Sequence, residues 1–323
     1  MTVYYYLIAA KPGASLNTTQ LAIWTAVSAG DDQTFSNVLI DTGSAILWVG
    51  ANQKYKPGPN TQNINATLAV GYGGGGVNGT AYKDRVTIGS ATVSGQIIGS
   101  AEYLEGFAEL VGTFDGIFGL GPPGSNFNQV SGYNTTPTFI ENLVAEGVIP
   151  EPVFGIYIPP HFEGEIEWIE RNPPYNLHYD FNVSSFSWGN FTAPQPIYGR
   201  TDSGTIPLLI PNDQLFDILH NVSGAKLDDS EHSFLVSCLV LPANLTESEL
   251  PPLEIGVGNL TVELAPSDYI VPESLFPTLN ITEDGLTHTW MCAGGLSSVM
   301  LGQIVLEHLY SAYNCVGFAH SRP

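Results

Sequence analysis

The sequence predicts a mainly β protein built as two lobes. Three observations carry that reading: short β-branched and aromatic runs broken by turn residues, a low charge content, and an internal repeat that places one aspartate in each half. Strand-like runs at 21–27, 35–40, 85–88 and 260–264 are separated by Gly, Pro, Asn and Ser. Charged residues are only 12% of the chain, against roughly 25% in ordinary soluble domains, while 35 Gly and 23 Pro supply turns.

Two helices are expected among the strands. At 138–146, Phe139 meets Leu143 and Ile140 meets Val144 one turn apart, and Gly147 and Pro150 end the run. A second helix is expected at 213–220, after Pro211-Asn212. Between the halves, Ile158-Pro159-Pro160 and Arg171-Asn172-Pro173-Pro174 interrupt regular structure, because proline lacks the donor that a central strand needs. The expected organisation is an N-terminal segment 1–20, an N-terminal lobe 21–160, a connection 161–175 and a C-terminal lobe 176–323. With 43% hydrophobic residues over 323 positions, each lobe has enough for a core.

Only 9 Lys and Arg face 31 Asp and Glu, a formal charge of −22, so nucleic acid is not an expected partner. With so few bases, protonating the carboxylates in acid leaves little positive self-repulsion, and tolerance of low pH is expected. No run reaches the roughly 18–20 apolar residues of a membrane span. Residues 1–10 are apolar but lack a basic leader and a cleavage site, so they are not read as a complete signal peptide. Ten glycosylation acceptors occur, at Asn17, Asn65, Asn78, Asn134, Asn182, Asn190, Asn221, Asn244, Asn259 and Asn280, more than unselected sequence provides. They predict a secreted or extracellular protein, or residence in the lumen of the secretory or vacuolar pathway. Cys238, Cys292 and Cys315 permit one disulfide and leave one thiol over.

The repeat is the chemical signal. Asp41-Thr42-Gly43-Ser44 is followed by Ile117-Phe118-Gly119, and Asp202-Ser203-Gly204-Thr205 by Met300-Leu301-Gly302. One copy alone would read as an Asx turn; two copies offer a pair of carboxylates. Ser44 and Thr205 can hydrogen-bond those carboxylates, and Thr42 and Ser203 can brace the turns. Two adjacent carboxyls share one proton, so the ionised member can deprotonate a water while the protonated one supports a carbonyl oxygen. Tyr72 followed by Gly73, Gly74, Gly75 and Gly76 reads as a mobile hairpin tip. There is no His-Glu-x-x-His, no Gly-x-Ser-x-Gly and no Cys/His cluster, so neither a metal nor another cofactor is expected.

These motifs, in VLIDTGSAILWVG, VGYGGGGVNGTAYKDRVTIG, FDGIFGLGPP, TDSGTIPLLIP, ELPPLEIGVGNLTVELAPSDYIV and VMLGQIVLEHLYSAYNCVGFA, resemble the pepsin-like aspartic proteases, nearest the secreted polyporopepsin type of fungi. The resemblance spans nearly the whole chain. It implies a bilobal acid protease fold with two β-rich lobes related by a pseudo-two-fold around a substrate cleft, a flap at 68–89, synthesis as a zymogen, and polypeptide substrates cut by a monomer. Asp41 and Asp202 match the catalytic pair, Tyr72 the flap tyrosine, and Trp48 the tryptophan that supports it. Cys238 and Cys292 fall where many members bridge the C-terminal lobe. Residues such as Phe114 and Ile117 are expected to line apolar pockets beside the cut.

The chain also departs from the family pattern. Arg200 stands two residues before Asp202, where the family has an apolar residue, and on a strand it is expected to share the face of Asp202 and lower the pair's pKa values. Gln303 occupies a position where the family often has aspartate. The stretch 165–179 is shorter than in relatives by about twenty residues, a hairpin's worth of chain. These departures motivate an alternative expectation, a pepsin-fold glycoprotein that binds peptides or proteins without cleaving them.

Overall fold

The computed structural model describes residues 14, 17–19, 22–107, 114–156, 161–211, 215–228, 237–242, 245, 247–294, 297–314 and 316–322. The chain divides into two compact units. The first is Met1–Ile158 with Pro173–Tyr179 and Ala312–Asn314; the second is Pro159–Asn172, Asp180–Ser311 and Cys315–Pro323.

In the first unit, eight strands make one sheet: β1 (Asn17–Thr19), β2 (Ala22–Ala29), β3 (Gln33–Asp41), β4 (Leu47–Val49), β5 (Gln62–Tyr72), β6 (Gly75–Ile88), β7 (Ala91–Gly106) and β8 (Gly116–Gly119). Their order is β1-β2-β3-β8-β4-β7-β6-β5. Strand β3 starts half-exposed and becomes wholly buried from Val38 to Asp41, where it lies between β2 and β8. A strand covered on both faces needs an unbroken apolar run, and Val38-Leu39-Ile40 provides it. Strands β5 and β6 instead alternate, with Ala66, Leu68, Val70 and Val77 inward and their neighbours in solvent. Those inward residues pack with Leu39, Ile46, Trp48 and Ile97.

Helix α1 (Phe139–Ala145) opens with a capping box: Glu141 N–H donates to Thr138 Oγ1 at 3.2 Å, and Thr138 N–H to Glu141 Oε2 at 2.9 Å. It is followed by β9 (Phe154–Ile156).

The second unit contains β10 (His161–Ile169), β11 (Asp180–Trp188), β12 (Phe191–Thr192), β13 (Ile197–Thr201), β14 (Leu208–Ile210), β15 (Lys226–Leu227) and β16 (Cys238–Leu241). After them come β17 (Leu253–Val257), β18 (Leu260–Leu264), β19 (Thr287–Ala293), β20 (Val299–Leu301) and β22 (Val316–Arg322), while β21 (Leu309–Tyr313) begins in the second unit and ends in the first. A ten-stranded sheet runs β15-β16-β19-β14-β20-β13-β11-β17-β18, with β12 paired to β11. Strand β10 pairs antiparallel with β22.

The sequence repeat is a topological repeat. In the first unit β3 runs parallel to β8, β8 antiparallel to β4, and β4 parallel to β7. The second has the same arrangement with β13, β20, β14 and β19 in those places.

Residues 161–169, expected within the connection 161–175, form strand β10 of the second unit and pair with β22, while 173–179 belong to the first unit. The second helix, α2, spans Asp217–Ser223 where 213–220 is expected, and Phe216 N–H donates to Pro211 C=O; residues 212–214 lie outside the described set. Among the described residues no helix is long and apolar enough to cross a membrane.

Candidate active site

Asp41 is the last residue of β3 and Asp202 follows directly on β13. In each turn the carboxylate accepts the N–H two residues on and the hydroxyl three residues on, which is an Asx turn closed by a hydroxyl. Asp41 receives Gly43 N–H at 2.7 Å and Ser44 Oγ at 2.5 Å. Asp202 receives Gly204 N–H at 2.9 Å and Thr205 Oγ1 at 2.8 Å. Hydrogen bonds of this kind hold the orientation of the carboxylate. Thr42 and Ser203 are buried beneath their turns.

The apolar-apolar-glycine half of each repeat packs on the aspartate loop. Gly119 lies opposite Asp41 in the parallel β3–β8 register, and a Cβ there would stand 2.5 Å from Ile46 N. At Gly302 a Cβ would overlap Pro207 O. Neither position has room for a side chain, which is the physical reason for glycine in both copies. The loops are then tied down by main-chain bonds, Leu120 N–H to Asp41 C=O at 2.7 Å and Gln303 N–H to Thr205 C=O at 2.7 Å.

Strands β5 and β6 form the expected hairpin, with Tyr72 opposite Gly75 and Gly73-Gly74 as the two-residue tip. Nothing lies within 4 Å of a Cβ built on Gly73 or Gly74, so the tip is open. Tyr72 is half-buried overall, but its hydroxyl is turned inward and accepts Trp48 Nε1–H at 2.7 Å. Burial raises the phenol's pKa well above its ordinary range, and the charge of Asp41 raises it further; hydrogen bonds with Trp48 and Ser44 oppose the shift. Trp48, Tyr72, Ser44 and Asp41 thus form one hydrogen-bonded chain inside the first unit.

Phe114 and Ile117 do not present free surface. They are 0% and 2% exposed and belong to the core cluster of the first unit, where Phe114 packs edge-on against Trp48 at 5.8 Å between ring centroids. Phe114 thereby supports the ring of Trp48 from within the core. Phe107, which the sequence reading passed over, joins this group 5.7 Å from Tyr72 and 5.6 Å from Phe114.

Arg200 has an ionic partner of its own on the neighbouring strand. Asp180 lies directly opposite it in the β11–β13 register, and its Oδ1 is 2.9 Å from Arg200 Nε, an ion pair without the angle of a good hydrogen bond. Gln303 is buried and donates from Nε2 to Glu307 Oε1 at 2.5 Å, while desolvation raises the Glu307 pKa. Cys238 and Cys292 face each other across β16 and β19 and are joined in a disulfide. Cys315 lies outside the described residues.

Eight acceptor asparagines, Asn65, Asn78, Asn134, Asn182, Asn190, Asn221, Asn259 and Asn280, are exposed; Asn244 and the side chain of Asn17 lie outside what the structure describes. Asn78 follows the buried Val77 on β6, so it points off the outer face of the hairpin, opposite the face that carries Val70 and Tyr72.

The sequence profile of the eukaryotic aspartyl proteases matches residues 23–320. The chain belongs to that family. It is 27% identical to polyporopepsin of Irpex lacteus over 318 residues, covering 89% of each chain. It is 26% identical to gastricsin of Rattus norvegicus, covering 88% of this chain and 77% of that one. The crystal structure of an aspartic proteinase from Irpex lacteus superimposes with a TM-score of 0.81 at 25% identity, covering 94% of this chain and 95% of the other. The fold is therefore that of the pepsin family, and among the described residues no three His, Cys, Asp or Glu side chains are placed to hold a metal ion.

Proposed function

We propose that this member of the family is an aspartic endopeptidase that hydrolyses internal peptide bonds of proteins in acid, with Asp41 and Asp202 activating one water between them. The observation that carries the proposal is the duplicated turn, in which each carboxylate is held by the same pair of donors at the same offsets. As in aspartic proteases generally, two such carboxyls share a single proton. The ionised member takes a proton from water as the oxygen attacks the carbonyl carbon, and the protonated member donates a hydrogen bond to the carbonyl oxygen as charge develops there. Proton transfer to the amide nitrogen then releases the amine.

Tyr72, Gly73 and Gly74 close over an extended peptide in this proposal, with main-chain hydrogen bonds along it and bulky apolar side chains preferred beside the cut. Secretion or residence in the secretory or vacuolar lumen is supported by the eight exposed acceptors and the Cys238–Cys292 disulfide. The rival, binding without turnover, loses its strongest motive because Asp180 pairs with Arg200.

Incubating the purified mature protein with a denatured protein at about pH 3–5, with fragments mapped by mass spectrometry, separates the two readings. Endopeptidase action yields internal fragments that grow with time. Stable association with no fragments across that range overturns the enzyme reading.

A further inference from the structure

Away from the aspartate turns, the second unit contains a cavity of about 710 Å³ whose lining mixes charge with apolar surface. Ala225, Val240, Ile281 and Leu286 supply the apolar part, and His220, Lys226, Asp228, Asp284 and His288 the charged part. Its volume falls in the range of about 300–1,000 Å³ that small-molecule sites occupy, and an apolar wall with a few convergent polar groups is the usual composition of such sites.

His288 is the unusual member. It lies on β19, is 5% exposed, and has its ring edge-on to Phe276 at 5.3 Å. Nε2 is 3.4 Å from Asp284 Oδ1 and Nδ1 is 3.4 Å from Asp228 Oδ2, and Nδ1 makes no hydrogen bond. A neutral imidazole carries one N–H, so whichever nitrogen holds it, the other turns a lone pair toward a carboxylate. Setting the imidazoles aside, the two lining carboxylates, Asp228 and Asp284, outnumber the one ammonium, Lys226, by one charge. A single added cation offsets both the lone-pair contact and the excess charge.

A metal ion does not suit this donor set. The two nitrogens of His288 face different carboxylates from different edges of the ring, so the donors do not converge on one point.

We infer that this cavity is a binding site for a small organic cation, a primary amine with a short apolar body. The ammonium group sits at the Asp284 side of the lining and the hydrocarbon lies on Val240, Ile281 and Leu286. The site is separate from the aspartate turns and holds whether or not the protein cleaves peptides.

The test is calorimetric titration of the purified full chain with n-butylamine, against n-butanol as the uncharged counterpart, at about pH 7. Asp284→Asn keeps the acceptor for Leu286 N–H, bonded at 2.9 Å, while removing the charge, so the local turn is retained. Saturable amine binding is expected, at least about tenfold weaker for Asp284→Asn and for n-butanol, and tighter for Lys226→Gln. Hydrogen exchange is expected to slow on amine binding at 225–228 and 281–288. Equal binding of amine and alcohol, unchanged affinity in Asp284→Asn, or protection confined to other regions overturns the inference. So does the absence of saturable binding by wild type whose thermal melt shows it folded.

Discussion

The two aspartate turns share their backbone bonds and carboxylate donors and differ in what surrounds them. Asp41 is 5% exposed and is linked through Ser44 to Tyr72 and Trp48; Asp202 is more exposed, and the charged group nearest it in sequence, Arg200, is held by Asp180 on the neighbouring strand. The turn itself is thus a local device, made by four residues and a glycine packed against them. What distinguishes the two copies is long-range: a hairpin supplies a tyrosine to one, and strand register neutralises an arginine near the other. Catalysis by a pair requires such a difference, because one carboxyl must act as acid while its partner acts as base.

The largest expected effect tests whether the copies are equally necessary. Asp41→Asn and Asp202→Asn should each reduce kcat by about a thousandfold or more while leaving the thermal melt nearly unchanged. Retained activity in either variant breaks the equivalence of the turns.

The next sharpens the contrast between the units, since the described disulfide belongs to the second alone. Replacing Cys238 and Cys292 together by Ser should cost about 2–5 kcal/mol, with hydrogen exchange accelerating first in β16 and β19. Acceleration spread evenly over both units would contradict that assignment.

A smaller effect is specific to the first turn. Tyr72→Phe removes the acceptor for Trp48 Nε1–H and the link to Ser44, and should lower kcat by about tenfold at a stability cost of about 1 kcal/mol. A loss of stability without any loss of kcat would reduce Tyr72 to a packing residue.

The smallest is a pH effect beside the second turn. Burial raises the Glu307 pKa, so its ionised form is disfavoured in the folded state, and the stability it lends in acid is lost as pH rises through that raised value. Glu307→Gln should therefore raise Tm by a few degrees at most at about pH 7 and leave it unchanged at about pH 3. An equal shift at both pH values would mean that packing, not charge, is responsible.

The features legible in the sequence are those fixed over short distances. Asp41 to Ser44 and Asp202 to Thr205 carry their donors within three residues, α1 carries its own apolar pairs one turn apart and its stop at Gly147, and the glycines after Tyr72 mark the hairpin's tip. The unread features depend on pairing between distant segments. Asp180 meets Arg200 only because β11 and β13 align in that register, and 161–169 become a strand only because β22 comes alongside. The burial of Phe114 and Ile117 is hidden for the same reason: a short apolar run does not reveal which distant segments will cover it.

The central claim is that one carboxyl from each turn shares a proton over a common water. The pH dependence of kcat/KM on a fluorogenic peptide tests it most directly, because a pair in which one member must be ionised and the other protonated is active only between two titrations. The account predicts a bell-shaped profile with its maximum in acid and both limbs belonging to the pair. A rate that climbs steadily toward neutral pH, or one unchanged from about pH 3 to about pH 7, would contradict it.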